Sequence, residues 1–147
     1  MSSLNSKLTI RLGSNPEELL PLYQELLEDV KSDIIKTKDQ CLQSLKKDLE
    51  HGEKAYVFST DGETVGYALI NTNRTPVYIH HFYISRSQRR KGWGRTAFAL
   101  LQKELNTSDF DLDVFVWNER GLAFWRSLGF EPRMTMMRRI TKEQQQT

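Results

Sequence analysis

The sequence holds one cysteine, Cys41, among 147 residues. A single thiol excludes an intramolecular disulfide and a cysteine-built metal cage, so no metal is expected and stability must come from the core. Long apolar runs are also missing. None approaches the ~20 residues that span a bilayer, which argues against a membrane partner. Residues 1–7 carry no hydrophobic stretch behind a basic start. No secretory signal is therefore expected, and the cytoplasm is the expected compartment. Charge of one sign is not in excess either: 21 Lys+Arg against 19 Asp+Glu leave +2. That is too little to demand a nucleic-acid surface unless cations cluster locally. Internal repeats, linkers and low-complexity blocks are absent. What remains is 38% hydrophobic and 27% charged, the balance of a chain that buries a core. Its length suits a single domain over 1–147, with a polar tail at 142–147 expected to fray.

Apolar spacing places the elements. Residues 7–12 alternate and read as a strand. Asn15 can cap a helix with Pro16 at its first position, and Leu19, Tyr23, Leu26, Leu27 and Val30 recur at helical spacing. Pro21 removes a donor there, so that helix either kinks or begins its regular part later. Thr37 with Gln40 forms a capping box before a helix whose apolar face is Cys41, Leu42, Leu45 and Leu49, ended by Gly52. Strands are expected at 54–59 and 63–71 around an Asp61-Gly62 turn, and at 77–85. A helix follows at 93–105, an alternating strand at 109–117, a short helix from Asn118 to Leu128, and a last strand at 133–141. The order β-α-α-β-β-β-α-β-α-β calls for an α/β (α+β) fold: a mixed, mostly antiparallel central sheet with helices on both faces.

The stretch richest in chemical meaning joins a strand to a helix: Arg89, Arg90, Lys91, Gly92, Trp93, Gly94, Arg95. Gly92 and Gly94 remove side chains where the chain turns into the helix, so backbone can approach a ligand closely. A helix N-terminus offers unpaired N–H groups and the positive end of a dipole, which together hold phosphate. The surrounding cations add to this. No Gly-Lys-Ser/Thr follows, so the spacing is not that of a nucleoside-triphosphate loop.

With these elements in this order, the chain resembles the GNAT N-acetyltransferase superfamily, which binds acetyl-CoA. Three pieces carry the resemblance: Val65-Gly66-Tyr67-Ala68, Arg89-x-x-Gly92-x-Gly94, and the run from Asn118 through Gly121, Phe124 and Trp125 to Gly129-Phe130. The resemblance implies that backbone N–H groups of Arg89 to Arg95 hold the CoA pyrophosphate. It implies that Phe82 and Ile84, with Tyr83 between them, line the pantetheine arm. It also implies that the fourth and fifth strands splay into a wedge holding the thioester, and that Asn118 both caps its helix and meets the cofactor. Dimers are frequent in the superfamily, so a homodimer is among its implications.

Transfer to an amine needs that amine neutral, although a lysine-like amine has a pKa of about 10.4. A base must take a proton and donors must steady the oxyanion. His80 stands where the superfamily often carries a catalytic Glu or His, so it is expected to be the base or to hold the water that is, with Tyr78 beside it. Strict alternation would put Tyr78, His80 and Phe82 on one face and Ile79, His81 and Tyr83 on the other. Where many members carry a Tyr as general acid, this chain has Trp125, which cannot protonate the departing thiolate. Tyr78, Tyr83 or water are the substitutes, and Trp125 is expected as packing or as a wall against the pantetheine. Asp109, Asp111 and Asp113, continued by Phe115 and Trp117, offer acid and aromatics to a cationic acceptor, either a small-molecule amine or a protein amine. Two other readings stand beside the enzyme: a CoA-binding sensor of the same fold that does no chemistry, and a nucleic-acid-binding module using the basic loop 86–95. The confinement of that loop to one turn weighs against the second.

Overall fold

The computed structural model describes residues 7–141. The polar tail anticipated at 142–147, like residues 1–6, lies outside the described residues. Among the described residues, five strands form one sheet in the order β1-β2-β3-β4-β5. They are β1 (Thr9–Gly13), β2 (Lys54–Thr60), β3 (Glu63–Asn71), β4 (Val77–Ile84) and β5 (Phe110–Leu112). The first four run antiparallel and β5 joins β4 in parallel. Helices α1 (Pro16–Asp29) and α2 (Lys38–Glu50) connect β1 to β2; α3 (Trp93–Leu105) crosses from β4 to β5, and α4 (Glu119–Ser127) follows. The architecture is the mixed sheet with helices on both faces that the sequence calls for.

Local chemistry explains the boundaries. The Asn15 side chain accepts from the Glu17 N–H, and the Thr37–Gln40 capping box closes in both directions. Pro21 neither delays nor divides α1: it lies on the exposed side, where only the Glu17 carbonyl loses its intrahelical donor. Asp61 and Gly62 both take positive φ (50° and 80°), as a two-residue hairpin turn of this hand requires.

Two apolar layers flank the sheet. Under α1 and α2, Leu19, Tyr23, Cys41 and Leu45 bury against Val57, Tyr67, Leu69 and Tyr83. Under α3, Ala97, Phe98 and Leu101 bury against Phe58, Ala68, Ile70 and Ile79, with Trp125 of α4 and Leu128 just past its end packed alongside. Cys41 is core, and burial pushes its thiol up, away from the reactive thiolate. The β3–β4 seam needs Gly66. A Cβ there would overlap the Tyr83 carbonyl oxygen and stand 3.1 Å from Ile84 Cα.

Two strand expectations are corrected. The strand at 109–117 is only Phe110–Leu112, because its ladder to β4 ends at Ile79 opposite Leu112. The strand at 133–141 is not formed: those residues have no regular secondary structure and are exposed. The adjacent Met136 and Met137 break its two-residue period, and among the described residues no neighbouring strand offers a ladder.

Candidate active site

A β-bulge at His80 organises the site. Leu69 faces His81 across the β3–β4 ladder and Ile70 faces Ile79, which leaves His80 with no partner on β3. The extra residue resets the alternation and corrects the expected faces. Ile79 now shares the α3 side with Phe82 and Ile84, while Tyr23 and Tyr83 lie in the layer on the other side. The rings of Tyr78 and His80 are 5.9 Å apart, and those of His80 and His81 4.5 Å. Strict alternation would have parted the two histidines; the bulge brings them together.

The same bulge opens the sheet. Ile79 is the last β4 residue with a β5 partner, so His80 is the first residue past the point where the strands part. From there to Ile84, β4 pairs only with β3. Ser85 donates to the Val65 carbonyl at 2.8 Å. By two-residue alternation Tyr83 and His81 also turn their backbone groups to β3, so those of Phe82 and Ile84 point into the open edge. This edge is one a ligand can join as an added strand. Phe82 forms one wall with Phe124 and Trp125, at ring distances of 6.2 and 5.1 Å. Trp125 also meets Phe98 and Phe130, which makes it a packing residue of this aromatic group.

At the far end of the edge, a short 3-10 turn (Arg86–Gln88) leads into the glycine loop. Arg90 and Gly92 adopt positive φ (65° and 75°), and a Cβ at Gly92 would meet nothing within 4 Å. Gly94 lets α4 approach, since a Cβ would stand 3.0 Å from the Phe124 ring. The first helical bond is Thr96 N–H to the Gly92 carbonyl. Among the described residues nothing accepts from the N–H groups of Arg90 to Arg95, so a fan of donors faces outward at the start of α3. Asn118 caps α4 by accepting from the Gly121 N–H at 3.0 Å.

The loop's cations divide into two groups. Arg86 pairs with Glu28 at 2.9 Å and Asp29 at 2.7 Å, and Arg89 pairs with Asp29. Arg89 also reaches the Ile84 carbonyl and lies over the Tyr83 ring. Burial alone would raise the Asp29 carboxyl, but hydrogen bonds from Arg86, Arg89 and Tyr83 outweigh it and hold that carboxyl below its usual value. Glu25 accepts from the Arg86 N–H at 2.7 Å and from the Tyr83 hydroxyl at 2.8 Å. The C-terminal end of α1 thus fastens the start of the loop. Lys91 and Arg95 make only neutral contacts, to Gln88 and the Ser127 carbonyl, and Arg90 has no partner among the described residues. Among the described residues, none of these three has a carboxylate partner.

Around His80 the charge is negative. Its Nδ1 lies 2.8 Å from Glu53 Oε1 and 3.7 Å from Asp48 Oδ2. The three ligand atoms stand within 4.8 Å of one another, a spacing a divalent cation could also bridge. Burial first, and the neighbouring Glu53 next in the same direction, raise the Asp48 carboxyl against the pull of His80 and Lys36. Tyr78 donates to Asp113 at 2.8 Å. Both Tyr78 and Tyr83 are held well above the ordinary tyrosine range, by burial first and the accepting carboxylate second. His81 is different: buried, stacked on Tyr23 and 3.0 Å from the Tyr67 hydroxyl, it is held well below the usual histidine value by that burial.

Sequence reasoning missed Glu53 and Asp48. Glu53 follows Gly52, whose positive φ (97°) turns the chain back from α2 so that the Glu53 N–H bonds the Asp48 carbonyl at 3.0 Å. Nothing in local spacing signals that this pair meets residue 80, which comes close only through the sheet.

A family model described as the Acetyltransferase (GNAT) family matches residues 18–130. Solved structures share the fold. A possible acetyltransferase from Clostridium difficile 630 superposes with a TM-score of 0.69 at 17% identity, covering 91% of this chain and 97% of that one. A ribosomal-protein-alanine N-acetyltransferase from Brucella melitensis biovar Abortus 2308 gives 0.67 at 16%, covering 92% and 99%. The aminoglycoside N-acetyltransferase AAC(6')-Iy, solved in complex with CoA, gives 0.67 at 17%, covering 93% and 96%. No curated protein matches the chain. Among the described residues, no helix is long and apolar enough to cross a membrane.

Proposed function

The chain belongs to the Acetyltransferase (GNAT) family, and from that premise we propose that it moves an acetyl group from acetyl-CoA to a primary amine by direct attack, without an acyl-enzyme. The observation that carries this reading is the continuous path from free loop amides, along the open β4 edge, to His80 at the point where β4 and β5 part.

The residues fit the cosubstrate. The N–H groups of Arg90 to Arg95, with the cations Arg90, Lys91 and Arg95, suit a diphosphate; Arg89 only shapes the loop, its N–H being spent on the Arg86 carbonyl and its guanidinium on Asp29. Phe82 and Ile84 offer the amide-pairing edge that suits a pantetheine arm, and Tyr83, between them, turns its ring to the other side and ties β4 to α1. Asn118 supports the loop through α4 and reaches the cofactor from its cap position. When bound, acetyl-CoA supplies an activated thioester whose thiol, with a pKa of about 8.5, leaves as a tolerable thiolate near neutral pH. That suits a site with Trp125 in place of a tyrosine and with both nearby phenols committed to carboxylates. Water delivers the final proton. His80 takes the proton from the incoming ammonium, and Tyr78, fixed by Asp113, borders the amine's entry.

Asp48, Glu53 and Asp113 lie around His80, which favours an acceptor that arrives positively charged. The acceptor class is an amine of a small molecule, such as a polyamine or aminoglycoside, or of a protein. Two of the five basic residues in 86–95 are neutralised by α1, which leaves the loop poorly charged for a nucleic-acid surface. The test is thioester consumption from acetyl-CoA across a panel of polyamine, aminoglycoside, lysine-peptide and free-N-terminus acceptors. At least one should be acetylated, and His80→Ala should lower kcat with little change in acetyl-CoA affinity. Full turnover by His80→Ala across pH would remove His80 as the base.

A further inference from the structure

We propose that Glu53, backed by Asp48, is a positioning residue that sets the tautomer of His80, so that Nδ1 carries the ring proton and Nε2 is the basic atom. The inference rests on the reading of His80 as the base and goes on to say which nitrogen works and what makes it so.

The geometry is specific. Glu53 Oε1 lies 2.8 Å from His80 Nδ1, and among the described residues Nε2 makes no hydrogen bond. An ionised carboxylate only accepts, so the hydrogen of this bond belongs to Nδ1. In a ring left to solvent nothing enforces that choice; the bond made by one nitrogen decides the state of the other. The carboxylate is itself held in place. Its side chain is 16% exposed, against 34% for His80. The Glu53 N–H is tied to the Asp48 carbonyl at 3.0 Å, so the two carboxylates leave the same corner of α2. The bulge completes the arrangement, because only a residue outside the β3–β4 ladder turns toward that corner while His81 stays in the core.

Other groups around the ring are consistent with this division. Tyr78 and His81 flank it at ring distances of 5.9 and 4.5 Å. Lys36 bears on both Asp48 and His81, His51 bears on Asp48, and Arg74 and Asp113 hold Tyr78 from its far side. None of these makes a hydrogen bond to the His80 ring.

The proton step balances. An N–H bond of the acceptor's ammonium breaks as the Nε2–H bond forms, giving neutral amine and an imidazolium whose Nδ1–H still points at Glu53. The amine then forms the C–N bond to the acetyl carbon as the C–S bond breaks, its second proton passes to water, water returns one proton to the thiolate of CoA, and the Nε2 proton leaves to solvent, restoring the neutral ring.

The first readout needs no substrate. Nitrogen-15 NMR of the full chain, with His80→Gln to assign the signals, should show His80 in its neutral form protonated on Nδ1. Glu53→Leu, made alone and with Asp48→Asn, should move that proton to Nε2 and lower kcat about 10²-fold, the low end of what general-base catalysis contributes, with acetyl-CoA affinity unchanged. Glu53→Gln keeps the size of the side chain, but its amide N–H can donate to Nδ1, so it should also lose the wild-type tautomer and lower kcat with the fold intact. A wild-type His80 protonated on Nε2 overturns the proposal whether or not any variant folds. So does a Glu53→Leu protein with unchanged tautomer and rate. Loss of turnover on EDTA with recovery on added Zn2+ would overturn it in favour of a metal centre on the same three side chains. If His80→Ala keeps full turnover, it is the base assignment that fails, and the tautomer still decides the role of Glu53.

Discussion

Replacing Gly66 with alanine presses on the seam that carries β4 from Tyr78 to Ile84. The new Cβ would collide with the Tyr83 carbonyl oxygen and meet Ile84 Cα and Cδ1 at 3.1 Å. Backbone cannot swing aside as a side-chain tip can, so β3 and β4 must separate. Their next bond, Ser85 N–H to the Val65 carbonyl, is 2.8 Å long. It tolerates about 0.7 Å of separation before it passes the ~3.5 Å limit of a hydrogen bond. Losing it, straining its neighbour and loosening Val65 and Ala68 in the core should together cost about 2–4 kcal/mol. For a chain of this length that is a fall of about 5–15 °C in Tm. Gly62→Ala is the comparison. It sits at φ +80° with nothing within 4 Å of a Cβ, so it carries left-handed strain alone, about 1 kcal/mol. Urea unfolding of both variants checks the ordering, and acetyl-CoA affinity should fall only for Gly66→Ala, because only there does the β4 edge move. A Gly66→Ala protein within about 0.5 kcal/mol of wild type would refute the reasoning.

Stability should also depend on pH through His81. Burial holds its folded value well below the usual 6.5, so the unfolded chain binds a proton that the folded one refuses. Its contribution is full above pH 6.5 and is lost as pH falls below that value, at about 1.4 kcal/mol per pH unit. Urea unfolding from pH 7 to 5 should show this slope, and His81→Gln should flatten it. Asn118→Ala should cost about 1 kcal/mol through the lost α4 cap, while Asn118→Ser, which still accepts from Gly121, keeps the stability. Equal denaturation midpoints for Asn118→Ala and wild type would deny the cap its role.

Much of the fold could be read locally. The caps at Asn15, Thr37 and Asn118, the Asp61-Gly62 turn and Gly52 at the end of α2 are short-range features, and each formed where its residues stand. The glycine loop was legible for the same reason: backbone freedom and a helix start lie within seven residues. What escaped is what pairing decides. A bulge is a mismatch between two strands, and residues 77–84 alone do not reveal that Ile70 will skip His80 to meet Ile79. The expected faces of β4 and the length of β5 failed through that one skipped residue. The exposed course of residues 131–141 follows from a missing neighbour, which no local pattern encodes. Glu53 and Asp48 are 27 and 32 positions from His80, and only the stacking of α2 over the sheet joins them. The division of the loop's arginines was hidden likewise, since Asp29 comes from a helix some sixty residues away.

The most direct measurement is a calorimetric titration of the protein with acetyl-CoA, run beside CoA and ATP. Micromolar binding of the two CoA forms, about −8 kcal/mol, with ATP much weaker, is expected if the loop amides and the β4 edge act together. Absence of binding at millimolar acetyl-CoA would contradict that joint role and leave residues 86–95 a basic turn.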